Sequence, residues 1–266
     1  MVEKQAVFAK KFSVLEAMIK GARSAVVLTG AGISTLSGIP DFRSSKGLYS
    51  EKWGNLAVEE ILSLSFFSKH PEVFYAWARD VWYGLEHYQP NIVHQALSSM
   101  EEKGYLEGLF TQNIDMLHSK AGSKRCYEVH GSAKHHHCTH CNAYYSYEQI
   151  APIVRSGQVP LCTQCNSVIK PDIVFYGENL DSMILFRAYE MFSHTDLCLV
   201  LGSSLVVQPA ASFPSHALQH GAPLVVVNAQ KTGYDNAATL HFSDLNQFGE
   251  ALASHLATLE VRKRLV

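Results

Sequence analysis

The chain has 266 residues, 47% hydrophobic and 17% charged, enough apolar mass for a sizeable core and too little charge for a disordered chain. A net charge of -2 gives no global basic field and argues against a nucleic-acid partner. Met1 to Arg23 carries scattered lysines and no secretory-type apolar run, and no stretch approaches the roughly 18 apolar residues of a membrane span. The expectation is a cytoplasmic protein without a membrane partner, whose six cysteines stay reduced as metal ligands or core residues.

Helical periodicity is read first near 10–20. Ala25-Val26-Val27-Leu28-Thr29 follows, short, β-branched and ending in Gly30. Helical periods near 58–88 and 91–103 precede short strands at Leu109-Phe110-Thr111 and Tyr127-Glu128-Val129. Further apolar runs are Ile173-Val174-Phe175-Tyr176, Leu197-Cys198-Leu199-Val200-Leu201 and Leu224-Val225-Val226-Val227, with helical periods near 183–193 and 209–220. Nearly continuous apolar strands alternating with helices point to an α/β fold, a doubly wound parallel sheet covered on both faces. In such sheets ligands bind beyond the carboxyl ends of the strands. The polar residues cluster there: Gly30 to Ser34, Gln112 to Asp115, His130, Gly202 to Ser204 and Asn228. No internal repeat or low-complexity linker is evident. The stretch from about 133 to 170 breaks the pattern and reads as a small inserted module.

That module holds Cys138, Cys141, Cys162 and Cys165. Two residues within each pair let a tight knuckle aim both sulfurs at one ion, and two knuckles complete the tetrahedron that zinc accepts. Four thiolates leave no open position, so the metal is expected to be structural. His135, His136, His137 and His140 lie close by and are read as surface residues. Cys126 and Cys198 fall in strands and are read as buried core thiols.

Gly30-Ala31-Gly32-Ile33-Ser34 follows a strand and is expected to open a helix. Glycines there permit a sharp turn and close approach of backbone to a pyrophosphate, with a helix N-terminus supplying N–H donors. The usual dinucleotide fingerprint needs a third glycine where Thr35 stands, so a plain structural turn stays open as an alternative. Gly38 then begins Gly-Ile-Pro-Asp-Phe-Arg, in which Arg43 can reach a phosphate and Phe42 can cover a ring.

These motifs, with Thr111-Gln112-Asn113-Ile114-Asp115, His130-Gly131, the four cysteines, Gly177-Glu178-Asn179, Gly202-Ser203-Ser204 and Val227-Asn228, stand in the order found in sirtuins. The chain resembles these NAD-dependent protein lysine deacylases from about residue 20 to 250, most closely those of the bacterial and archaeal undifferentiated class. The resemblance implies one catalytic domain over 1–266. Its large Rossmann-like part would span about 1–40, 90–132 and 171–266. Its small part would combine a helical insert, about 41–89, with a zinc ribbon, 133–170. NAD as co-substrate and an acetylated lysine peptide or protein would enter the cleft between them.

Carried over by motif, Gly30, Ala31, Gly32, Thr35, Asp41, Phe42 and Arg43 surround the phosphates and nicotinamide ribose. Gln112, Asn113, Ile114 and Asp115 line the ribose and nicotinamide pocket. Gly202, Ser203, Ser204, Asn228 and Leu245 lie on the adenosine side. Val174, Phe175, Gly177 and Glu178 form the peptide side, and one structural zinc sits in the ribbon. The family reaction transfers the acetyl group to ADP-ribose, releasing nicotinamide and O-acetyl-ADP-ribose. His130 is the implied general base, a role that suits an imidazole near neutral pH. Asn113 and Asp115 would hold the nicotinamide, and Asp115 also reads as a helix N-cap.

The branch that removes acidic acyl groups carries Tyr-x-x-Arg. Here Tyr75 is followed by Ala78 in the arginine place, so acetyl and other uncharged acyls are expected. The aromatic stripe from Phe66 to Tyr83 also reads as packing for the helical insert. Tyr176 replaces the usual phenylalanine beside the peptide groove. Competing readings are a mono-ADP-ribosyltransferase, a non-enzymatic zinc-ribbon interaction module and a dehydrogenase, the last without any evident hydride-transfer site.

Overall fold

The computed structural model describes residues 2–42, 44, 47–48 and 52–262. Its strands, in chain order, are β1 (Ala25–Thr29), β2 (Lys52–Trp53), β3 (Leu56–Ala57), β4 (Gly108–Thr111), β5 (Cys126–Glu128) and β6 (Gly131–Cys138). They continue with β7 (Tyr144–Ser146), β8 (Ile169–Ile173), β9 (Leu197–Leu201), β10 (Leu224–Val227) and β11 (Leu240–Phe242). The helices are α1 (Val2–Gly21), α2 (Val58–Ile61), α3 (Leu64–Phe67), α4 (Pro71–Val81) and α5 (Ile92–Glu102). After them come α6 (Leu117–Lys120), α7 (Tyr147–Arg155), α8 (Ser182–Ser193), α9 (Phe213–Gln219) and α10 (Leu245–Thr258).

Six strands form one parallel sheet in the order β11-β10-β9-β1-β4-β5. Successive strand residues point to opposite faces, and both faces are covered, which is why the strands read as unbroken apolar runs. Ala25 and Val27 of β1 pack with α1, α5 and α10 through Leu15, Leu97 and Leu252. Val26 and Leu28 pack on the other face with α8 and α9 through Phe192 and Phe213. The doubly wound architecture read from the sequence is the one found. Strand order reverses between β1 and β9, so the switch point falls where the glycine turn leaves β1.

The inserted segments build a second core. β7, β6 and β8 make an antiparallel sheet, and α2 to α4 pack against it. Phe67, Phe74, Trp77, Trp82 and Tyr83 share one buried cluster with Ile150, Ile169, Cys138 and Cys162. The aromatic stripe is therefore packing, as its burial reading held.

Several elements differ from the sequence reading. The apolar run Ile173-Val174-Phe175-Tyr176 is not a strand of the parallel sheet. The strand is Ile169–Ile173, paired antiparallel with β6. Residues 174–176 leave it as irregular backbone, tied to the rest by Val174 N on His130 O and by an isolated bridge between Ser63 and Tyr176. A bounded apolar run looks the same whichever sheet buries it. The helical period near 58–88 is broken into α2, α3 and α4. Ser63 caps α3 by accepting from Phe66 N, and Pro71 opens α4 at a position where its missing N–H costs nothing. α7 forms although it contains Pro152, started by a capping box of Ser146 and Gln149. β11 and α10 went unread. Asp244 starts α10 by accepting from Gln247 N. Among the described residues no helix is long and apolar enough to cross a membrane.

Candidate active site

β1 ends in a turn that stays close to β9. Gly30 N donates to Leu201 O (3.0 Å) and Gly32 N to Gly202 O (2.8 Å). A Cβ on Gly30 would lie 2.7 Å from Gly202 O, and one on Gly32 would lie 2.8 Å from Gly202 Cα. Gly202 has φ +64 and a Cβ there would strike Ile33 N. Glycine is required at all three, because the two turns are in backbone contact. The turn continues as a short 3₁₀ helix, Ala31–Ser37, rather than an α-helix. Asn91, which caps α5, ties this helix down by donating to Ile33 O and Ser37 Oγ, each at 2.8 Å.

Beyond the strand ends lies a cavity of about 790 Å³, within the roughly 300–1,000 Å³ of small-molecule sites. Ala31, Gly32, Thr35, Asp41, Phe42, Gln112, Asn113, Ile114 and His130 line it, as do Val174, Phe175, Gly177, Glu178, Gly202, Ser203, Ser204, Asn228 and Leu245. Gly30 lies beneath, in contact with Gly202. Asp115 lines a smaller adjoining pocket with Ser34, Asn113, Ile114, Phe42 and Trp82. Arg43 lies outside the described residues. Sequence reasoning gave no role to Ser34, Trp82, Val206 or Gln230, all of which border these spaces. Ser34 was visible inside the glycine motif; Trp82 reads only as one more aromatic of the helical insert.

His130 follows β5. Its Nδ1 stands 3.1 Å from the Gln112 carbonyl. A carbonyl can only accept, so Nδ1 carries the proton and the lone pair is on Nε2. Gln112 is fixed in turn, because Ser203 Oγ donates to its Oε1 (2.7 Å). On the other wall Ser34 Oγ donates to Asp115 Oδ2 (2.6 Å), and Asn113 Nδ2 donates to Ser34 Oγ (3.1 Å) and Gly30 O (3.2 Å). Asp115 Oδ1 accepts from Leu117 N (2.9 Å) in an Asx turn, but the N-cap of α6 is the left-handed Met116, without a side-chain cap bond, so Asp115 is not the N-cap read from the sequence. Burial raises the Asp115 pKa, against the pull of the Ser34 and Leu117 hydrogen bonds. Asn113 Oδ1 is buried and has no partner among the described residues. Such an atom costs free energy while it stays unsatisfied, which marks Asn113, a residue of the cavity wall, as a strained polar position.

Behind this wall His94 and His118 are buried with ring centroids 4.8 Å apart. Burial lowers His94 to about 4 and His118 well below the usual imidazole range. Both are neutral core residues, and Thr29 hydrogen-bonds His118 (2.9 Å).

Residues 174–178, on another wall of the cavity, form a strap. Val174 N donates to His130 O (2.9 Å), Tyr176 N to Leu62 O (2.9 Å) and Phe175 N to Glu178 Oε2 (2.7 Å). Lys170 pairs with Glu178 (2.9 Å) and lies over the Phe175 ring. Gly131, with φ +76, abuts the strap's root, and a Cβ there would collide with Asp172 O. Gly131→Ala is expected to cost at least about 2 kcal/mol of stability. Urea unfolding checks this, and a loss below about 0.5 kcal/mol, typical of a neutral surface change, would contradict it.

In the ribbon the four sulfurs lie within 4.8 Å of one another. Cys138 and Cys165 Sγ are 3.4 Å apart, and Cys141 is 3.5 Å from Cys162 and from Cys165. Sulfurs bound to zinc at 2.3 Å stand about 3.8 Å apart in a tetrahedron, so the group fits one ion with no further position. Backbone N–H groups of His140 and Gln164 point at Cys138 and Cys162 Sγ (3.4 Å each), and Tyr145 donates to Cys162 Sγ (3.2 Å), lowering its pKa to about 6. The two knuckles share Cys-Thr-x-Cys-Asn, with Asn142 and Asn166 both left-handed (φ 58 and 60). This five-residue repeat is too short to show as a fold-level period.

The histidine reading needs correction at one place. His136 is buried, not at the surface. Its Nε2 hydrogen-bonds Tyr83 Oη (2.9 Å), and burial lowers it to about 3. His137 faces Asp172 (2.7 Å) and His135 faces Tyr144 (2.9 Å). Among the described residues the four cysteines are the sole group with metal-site geometry. Cys198 is buried, while Cys126 is half-buried.

A large cleft at the switch point of a doubly wound sheet, walled by two glycine turns in backbone contact, defines a dinucleotide-binding protein braced by a zinc ribbon. The Sir2 family matches residues 30–209, and the chain belongs to that family. An NAD-dependent protein deacetylase of Thermotoga maritima is 43% identical over 226 residues, 85% of this chain and 90% of the relative. A solved Sir2 variant with a deacetylated p53 peptide and 3′-O-acetyl ADP ribose superposes with a TM-score of 0.86 at 41% identity, covering 91% of this chain and 97% of that one. A Sir2 complex with a p53 peptide and NAD+ gives 0.83 at 40% identity, over 91% and 97% of the two chains.

Proposed function

We propose that the protein is an NAD-dependent protein lysine deacetylase that moves the acetyl group of acetyl-lysine to ADP-ribose and releases nicotinamide. The observation that carries this reading is His130 in the wall of a cavity large enough for a dinucleotide, its ring oriented by Nδ1 on the Gln112 carbonyl. NAD, when bound, supplies the ADP-ribose acceptor and the nicotinamide leaving group.

The chain's residues divide the remaining work. Gly30, Gly32 and Gly202 let the two turns meet backbone to backbone, and the pyrophosphate would lie against Ala31, Gly32, Gly202 and Ser203 on the cavity wall. Ser203 and Ser204, with Asn228 and Leu245, receive the adenosine side. Asp115 holds Ser34, Ser34 holds Asn113, and Asn113 Oδ1 is left to accept from the nicotinamide carboxamide. His130 Nε2 takes a proton from a ribose hydroxyl, and the resulting cation keeps its Gln112 hydrogen bond. The strap 174–178 receives the peptide by backbone pairing. Zinc held by Cys138, Cys141, Cys162 and Cys165 would brace the small sheet and leave no open position for substrate. A cytoplasmic setting agrees with six unbridged cysteines.

The test is one assay: an acetyl-lysine peptide with and without NAD, products identified by mass spectrometry. O-acetyl-ADP-ribose in step with deacetylated peptide is expected. Deacetylation without NAD, or ADP-ribosylated protein as the main product, would overturn the reading.

Acyl preference follows from the lining. Among its described residues the cavity has neither lysine nor arginine. Tyr75 is buried in the aromatic cluster with its hydroxyl on the Ile169 carbonyl, and Ala78 is buried beside it. An acidic acyl group would lose water without gaining a cation. The kcat/KM for succinyl-lysine should fall at least about tenfold below that for acetyl-lysine, a difference of about 1.4 kcal/mol. Comparable values in a peptide-pair assay would refute this.

A further inference from the structure

α8 begins at the cavity, where Ser182 and Leu185 form part of the wall. Helical spacing sets Phe186 one turn beyond Ser182 and Tyr189 one turn beyond Leu185, on the same side. Helical side chains lean toward the helix N-terminus, so Phe186 leans toward the cavity mouth. Met183, Phe186 and Tyr189 are 69%, 57% and 55% exposed, and Val206, itself a cavity-wall residue, is 63% exposed. The two walls border the same cavity, lined by Ser182 and Leu185 on one side and Val206 on the other. Leu205 has φ +54, a left-handed turn that carries the chain from the buried Leu205 to the exposed Val206. Large apolar side chains gathered at one place on a surface mark a contact site. Of the nearby charges, Arg187 and Glu190 on α8 are paired with each other (3.6 Å), and the Asp181 carboxylate is turned onto the first N–H groups of the helix as its cap. Four side chains fall well short of the roughly 800 Å² per partner that a stable dimer buries. The rim is continuous with the cleft that receives the peptide, and its size fits one or two peptide side chains.

We propose that Met183, Phe186 and Val206 select acyl-lysine substrates with an aliphatic or aromatic residue close to the modified lysine. This rests on the deacetylase reading above. Selection of this kind acts on binding, so it moves KM and Kd and leaves kcat alone.

The experiment uses the full chain with NAD and acetyl-lysine peptides in which each flanking position is varied among leucine, phenylalanine, serine and aspartate. Turnover is measured by product release, and peptide binding separately by fluorescence anisotropy. At one flanking position at least, leucine or phenylalanine should lower KM and Kd about tenfold relative to serine, with kcat within about twofold. A Met183→Gln, Phe186→Gln double variant should flatten that preference. Its kinetics on acetyl-lysine amide, which has no flanks, should match wild type. Equal Kd for all flanks, or a preference unchanged in the variant, overturns the proposal. Concentration-dependent dimerisation in sedimentation that the double variant abolishes would assign the rim to a second copy and overturn it too. A flank preference in Kd without any turnover would sink the deacetylase reading and leave the selection standing.

Discussion

His130→Ala is expected to lower kcat for deacetylation by about 10²–10⁴-fold, the range for removing a general base, with KM for the peptide little changed. The peptide strap touches His130 through its backbone: Val174 N donates to His130 O, a bond that the substitution keeps. The lost Nδ1–Gln112 hydrogen bond is worth about 1 kcal/mol, too little to unfold a domain of this size. Gln112 also keeps its Ser203 contact, so the dinucleotide wall should survive. Steady-state kinetics with a melting curve decide the matter. Wild-type kcat in the variant would remove His130 from the mechanism. A large drop in KM-weighted binding at unchanged kcat would make it a binding residue.

The second large effect is expected at the metal. Cys138 ends β6, sits in the small core and receives N–H groups from its own knuckle. Cys138→Ser, or removal of the ion by a strong chelator, should abolish activity together with the fold of the ribbon. Structural zinc contributes on the order of 10 kcal/mol to small metal-dependent folds, more than the margin of a typical domain. Hydrogen exchange should show protection lost across β6 to β8 and in the packed α4, while β1 and β9 stay protected. A variant that keeps the ribbon's protection yet loses activity would argue for a catalytic metal. One that keeps both would show that three thiolates suffice.

Much of this was legible because it depends on local spacing. Strands ending in Gly30 and Gly202 locate the switch point, since only glycine tolerates two turns in backbone contact. Two Cys-x2-Cys pairs locate the knot, since the knuckle is a local turn. What escaped depends on partners distant in sequence. Nothing in Ile173 to Tyr176 says whether its strand pairs with β9 or with β6. His136 reads as one of three histidines in a row, yet it is buried because Tyr83, 53 residues earlier, waits beneath it. The Asp115–Ser34–Asn113 chain joins residues about 80 apart, so Asp115 alone suggested a ligand contact where the geometry also gives it a positioning role.

The pairing of β6 with β8 has a consequence for the order in which the molecule is made. Gly131 stands opposite Ile173, so His130 and the strap leave the ribbon side by side. Their contact spans about 45 residues, whereas β1 must find β9 across roughly 170. Loop-closure entropy grows with that separation, and long-range pairings form late. The ribbon can thus close its four thiolates on zinc, and set His130 beside residues 174–176, before β9 has paired with β1. Metal supply while the chain is being made would then decide how early this local geometry forms.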